Sequence, residues 1–136
     1  MKYLTSKQTP PKILTDNGLS LLVDTIKLRE LDLPIIEIDI TDLLWVFEMP
    51  VWAKDGTYDW NLTPWEVIKK EDMTNDHQMR VNEADTSFPL VVTKYNNKYT
   101  VLDGVHRLVK LYLNGDKKIK VKMIPVEYLT MEEFQS

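Results

Sequence analysis

The sequence predicts an α+β domain, a small mixed β-sheet with flanking helices, and three stretches carry that prediction. In IIEIDI, residues 35–40, Ile36, Ile38 and Ile40 alternate with Glu37 and Asp39 at the two-residue period of a strand, and Ile35 extends the apolar run. In KYTVLDGVHRLVKLYLNG, residues 98–115, Tyr99, Val101 and Asp103 alternate with Thr100 and Leu102. After Gly104 the apolar residues Leu108, Val109, Leu111, Tyr112 and Leu113 recur at helix spacing, so the glycine marks a strand-to-helix junction. Beyond it Lys118, Lys120 and Lys122 alternate with Ile119, Val121 and Met123, the pattern of a strand with one wet face. Charged residues of this kind also discourage exposed strands from edge pairing.

Length and composition bound the possibilities. A chain of 136 residues with 43% hydrophobic and 10% aromatic content predicts one domain around one core. No stretch approaches the roughly 18 to 20 apolar residues of a membrane span, and MKYLTSKQTPPK lacks the apolar segment of a signal peptide, which predicts a soluble, cytoplasmic protein. The absence of cysteine excludes disulfides, thiolate catalysis, zinc ribbons and cysteine-ligated clusters. With 17 basic and 21 acidic residues and a net charge of -4, the chain has no overall basic field, which disfavours DNA as a partner.

The remaining elements follow from local chemistry. Residues 1–12 carry two prolines and little pattern and read as a flexible arm. LSLLVDTIKLREL, residues 19–31, predicts an amphipathic helix after the Asp16-Asn17-Gly18 turn, with a strand for part of it as the alternative. Thr41 or Asp42 can cap a brief helix through Phe47 that stops before Pro50. LLWVFEMPVW, residues 43–52, holds a single charge, Glu48, which must reach water or find a partner. Asp55-Gly56 sets a turn in the polar loop 54–61. Thr63-Pro64-Trp65-Glu66 spells a capping box with proline at the first helical position, and that helix ends near Lys70.

In MTNDHQMRVNEA, residues 73–84, apolar positions thin out, which predicts an exposed helix or loop; if helical, it sets His77 and Arg80 on one face. Pro89 opens a strand with Leu90, Val91 and Val92, and Asn96-Asn97 turns it back, so residues 90–103 read as a hairpin. Asn114-Gly115 ends the next helix. Trp45, Trp52, Trp60 and Trp65 read as core in preference to the wall of a base-stacking pocket.

The junction at Gly104 carries the chemistry. A glycine at the strand end with His106 and Arg107 in the first helical turn gathers free amides, the positive end of a helix dipole and a guanidinium around one point. That is an anion site, and the histidine adds a hydrogen bond or moves a proton near neutral pH. Asp103 is placed to act as a base, to hold magnesium or to orient Arg107. The bland reading has Asp103 capping the helix and Arg107 pairing with a surface carboxylate.

The segment VLDGVHRLVKLYLNGDKKIKVKMIP resembles the Asp-Gly-x-His-Arg region of the ParB/sulfiredoxin superfamily, in which a strand ends in a glycine turn, a helix follows and a final strand runs out to a proline. LLWVFEMPVW, TPWEVIKK, His77 and ADTSFPLVV are similar in order and spacing to small stand-alone ParB-like proteins, and the likeness spans residues 35–125. Sulfiredoxins carry their nucleophilic cysteine where this chain has Val105, so sulfinic acid repair is excluded. Chromosome-partitioning ParB proteins add a DNA-binding domain and a dimerisation tail, for which residues 126–136 leave no room.

The free-serine kinases of the superfamily, with Asp-Gly-His-His-Arg at this place, are similar in form to Asp103-Gly104-Val105-His106-Arg107. That resemblance implies a nucleotide or phosphate-ester binding domain, a phosphotransferase, in which Gly104, Val105, His106 and Arg107 hold the phosphates of ATP, ADP or CTP with magnesium. Asp103 would be the base or magnesium ligand, and His77, Glu48 and Asp85 would converge on the same pocket as further catalytic candidates. A noncatalytic binding or adaptor protein is the alternative from another class, and a metal-dependent nuclease is a lesser one, since no carboxylates stand at a dependable ligand spacing.

Overall fold

The structure, a computed structural model, describes residues 9–136 as an α+β domain with a four-stranded mixed sheet and flanking helices. The expected arm lies mostly outside the described residues. Its last residue, Lys12, begins α1, Lys12–Thr15. The helix expected over residues 19–31 forms only as α2, Thr25–Glu30, because Asp24 caps it: the Asp24 carboxylate accepts from the Lys27 amide at 3.1 Å. Upstream of that cap Val23 makes one isolated bridge to Gln135, and no strand forms in the segment.

Strand β1, Ile35–Asp39, runs directly into a 3-10 helix, Ile40–Glu48. Neither Thr41 nor Asp42 caps it; the helix starts after Asp39, which makes no side-chain cap. Then come α3, Pro64–Ile68, with the expected capping box complete, and α4, Asn75–Glu83. The hairpin is β2, Leu90–Tyr95, and β3, Lys98–Asp103. Asn96 and Asn97 both adopt positive φ, 50° and 65°, the handedness that a two-residue hairpin turn needs. Helix α5, Val105–Leu113, ends with Gly115 at φ 83°: the Gly115 amide donates to Tyr112 at 3.0 Å and the Asp116 amide to Leu111 at 3.1 Å, which closes a Schellman turn. Strand β4, Lys118–Ile124, follows, and two short 3-10 helices complete the fold.

The strand order is β1-β4-β2-β3, with β2 parallel to β4 and the other pairs antiparallel. Strand β4 therefore lies inside the sheet, and its lysines do not guard an edge. They line one face: Lys118 and Lys120 oppose Asp39 and Glu37 of β1, and Lys118 reaches the Asp39 carboxylate at 2.7 Å. Farther along that face Lys122 donates to the carbonyls of Arg29 and of Leu31, the latter at 2.7 Å, and so ties down the C-terminal end of α2.

Leu90, Val91 and Val92 are all buried because both faces of β2 are covered. Leu90 and Val92 join the main core with Val101, Val121, Leu108 and Val109. Val91 turns to a second cluster with Leu28, Ile124 and Phe134. In β1 only Ile38 is buried; Ile35 and Ile36 stand exposed on an edge strand. All four tryptophans pack against the main core. No helix among the described residues is long and apolar enough to cross a membrane.

Phe47 is fully buried and meets Trp65 and Tyr112 edge to face, with ring centres 5.1 and 5.4 Å away. Phe47→Ala should lower unfolding free energy by about 4 kcal/mol in urea titrations, the scale of a buried aromatic truncation; a loss below about 1 kcal/mol would show that this aromatic centre does not anchor the helical layer.

Candidate functional site

Gly104 carries the reversal from β3 into α5 with φ at +115°. A Cβ there would stand 3.1 Å from Leu90 Cγ and 3.3 Å from Arg107 Nη1, so the turn calls for glycine by its conformation, and any side chain would also have to push these neighbours by a few tenths of an ångström. The first helical bond runs from the Leu108 amide to the Gly104 carbonyl at 2.8 Å, and no side chain caps the helix. Asp103 therefore does not act as the cap. The amides of the first turn, those of Val105, His106 and Arg107, are left for a ligand.

Arg107 is the most deeply set charge at this turn, with 14% of its side chain exposed. Its Nη1 donates to the Pro89 carbonyl at 2.9 Å, and its Nη2 lies 3.7 Å from Asp103 Oδ2. From α2, Arg29 Nε approaches the same oxygen at 3.8 Å. Asp103 Oδ2 is buried and accepts no hydrogen bond, so its carboxylate holds two guanidiniums by charge at distances just too long for a bond. Arg80 reaches in from α4, where it also lies 4.0 Å from Asp76.

Arg29, Arg80 and Arg107 thus share the wall of one cleft of about 410 Å³ with Gly104 and His106. Glu83, Asp85 and Asp103 supply its carboxylates, and Phe88 its one apolar aromatic side chain. Asp85 is held in a tight turn, accepting from the Ser87 hydroxyl at 2.6 Å and the Ser87 amide at 2.9 Å, and these bonds lower its pKa. The chain matches no family model, no curated protein and no solved structure. The cleft must be read from its own chemistry.

Behind the cleft His77 and His106 form one unit. His77 Nδ1 and His106 Nε2 are 2.9 Å apart, and the rings are within 5° of parallel with centres 5.2 Å apart, so they lie edge to edge in nearly one plane. The indole of Trp52 covers both, at 4.6 and 4.3 Å between centres and 11° and 12° between planes. Burial, followed by the charge of Arg80, lowers the pKa of His77 to about 4, against the opposing pull of Asp76, the Ala53 backbone and Asp55. Burial, Arg80 and His77 lower that of His106 to about 2. Both rings are neutral at pH 7, and the positive charge of the cleft belongs to its arginines.

The expected residues are thus sorted. Asp103, Gly104, His106, Arg107 and Asp85 meet at the cleft, and His77 supports it through His106. His77 is only 3% exposed and Val81 joins the main core, so α4 is not the exposed helix its sparse apolar pattern suggested; these two side chains are its core-facing groups. Val105 packs its side chain against the core and offers the cleft only its amide. Glu48 ends the 3-10 helix exposed to water and is not among the residues lining the cleft. None of the tryptophans lines it either. Sequence reasoning missed Arg29, which has no motif around it, and Trp52, which looked like any other aromatic in an apolar run. A group of three or more histidine and carboxylate side chains able to hold a metal ion is absent among the described residues.

The two depressed histidines set the sign of a pH effect. The unfolded chain takes up a proton at each histidine near pH 6.5 while the folded pair does not, so stability present above that pH is lost as pH falls toward 4 for His77 and on toward 2 for His106. Stability should fall by about 1 kcal/mol per histidine per pH unit below pH 6. Urea denaturation of the protein and of His77→Gln at several pH values measures this; a profile equally steep in the variant would remove the pair as its source.

Proposed function

We propose that the chain is a ParB/sulfiredoxin-like domain that binds a nucleotide or another phosphate ester at the Asp103–Arg107 turn. The observation that carries this reading is the convergence of three guanidiniums on the uncapped N-terminus of α5. Amides at a helix start match the equatorial oxygens of a phosphate, and arginine forks bind them in fixed directions. Around the turn, the order of strand, glycine, helix and strand supports the superfamily assignment.

Phosphoryl transfer is the activity the resemblance implies, and it depends on positioning and charge neutralisation. Arg29, Arg80 and Arg107 are suited to neutralise the transferred group. His106, with Nε2 engaged by His77, has Nδ1 left to accept a hydrogen bond from an acceptor hydroxyl. Magnesium fits the turn poorly: the buried Asp103 oxygen faces two guanidiniums, so Asp103 serves as a positioning group for Arg107. The same pairing favours, as a second reading, a noncatalytic module that holds a phosphate or carboxylate borne by a partner. The nuclease reading gains no support, since the carboxylates that line the cleft share it with three arginines.

Thermal melting against ATP, ADP, CTP, pyrophosphate and a sugar phosphate tests the site. A phosphate ligand should raise Tm, and Arg107→Lys, which keeps the charge but loses the planar fork, should weaken binding about tenfold. Arg107→Ala is the poorer probe because it also releases the Pro89 carbonyl. Absence of any shift across the panel would end the phosphate assignment.

A further inference from the structure

Phe88 stands at the mouth of the cleft with 59% of its surface exposed, and among the described residues it joins no ring pair. Exposed apolar side chains are common singly, so exposure is not the argument. What sets Phe88 apart is that its loop is fastened on both sides of the ring. Before it, the Asp85 carboxylate accepts from both the amide and the hydroxyl of Ser87. After it, the Pro89 carbonyl is held by Arg107, the same guanidinium that faces the cleft. The aromatic face and the anion-binding fork are braced against each other through one hydrogen bond.

The chemistry around the ring is as specific. Asp85 and Glu83 line the cleft together with Phe88. Carboxylates only accept hydrogen bonds, so they match hydroxyl or amino donors. A ligand that satisfies the whole cleft therefore carries an anionic group at one end and a flat ring with donor groups at the other. Resting on the phosphate-site reading above, we infer that the ligand is a nucleoside phosphate and that Phe88 is the platform on which its base stacks. This assigns base recognition to the loop between α4 and β2 and not to the tryptophans, which are committed to the core. Stacking on an aromatic ring tolerates different bases, so Phe88 supplies affinity for a base without selecting which one.

AMP, CMP and ribose 5-phosphate share a phosphate and a pentose and differ in the base. Titration calorimetry of the protein should show AMP and CMP binding about tenfold more tightly than ribose 5-phosphate. Phe88→Ala, a change of an exposed side chain, should erase that difference while leaving ribose 5-phosphate unchanged, and Phe88→Trp should preserve it. Equal affinities for all three ligands in the unaltered protein, or a preference that survives in Phe88→Ala, would overturn the platform while leaving the phosphate site standing. Failure of all three and of pyrophosphate to bind would overturn the phosphate site and the platform with it.

Discussion

At Gly104 the chain leaves β3 in a left-handed conformation and begins α5 at once, and Leu90 and Arg107 stand so close that a side chain there would have to displace them. The cleft depends on that compression. Because the turn is tight, Arg107, in the first turn of α5, folds back onto Pro89, the residue before β2. Its bond to Pro89 occupies one edge of the guanidinium and orients the rest. A longer junction would free the helix terminus but would lose the brace that makes the direction of the arginine a property of the backbone.

Around this turn the local charge runs against the charge of the molecule. The chain carries a net -4, yet three arginines gather at one opening. Bringing like charges together in a partly dry site is costly, and Asp103 offsets that cost without fully satisfying itself. Its buried oxygen sits between two guanidiniums and bonds to neither. Such an arrangement holds Arg29 and Arg107 near one another by charge, without a hydrogen bond to Asp103 Oδ2. The neutral histidine pair adds no further charge to this crowd; stacked under Trp52, it forms a stiff floor.

Legibility in the sequence followed the range of the interactions. The capping box at Thr63, the asparagine turn and the glycine stop after α5 are set by neighbours within a few residues, and each could be read directly. The Gly104 turn and its His-Arg pair belong to the same class. The extent of α2 was harder, because Asp24 sits inside an apolar pattern that continues on both sides. Lysine alternation in β4 showed a wet face correctly but could not reveal that the strand is interior, since neighbours in a sheet are chosen by topology. His77 was visible as a candidate, whereas its hydrogen bond to His106, 29 positions away, was not. Glu48 shows the reverse error: a lone charge in an apolar stretch looks functional, and here it simply reaches water at a helix end.

Lys122 has a role that reaches beyond the sheet. Its ammonium holds the last carbonyls of α2, a helix of 6 residues that contributes one fully buried side chain, Leu28, to the second core cluster. Besides that lysine, the Asp24 cap and the Leu28 plug, α2 is tied through Lys27 to the Glu133 carbonyl, so a few contacts with the C-terminal segment and β4 hold it in place. Arg29 rides on that element while Arg107 rides on α5, a helix packed deep in the main core. The two walls of the cleft therefore rest on separate cores: one guanidinium is carried by a helix of the main core, and the other by a short helix on the second cluster.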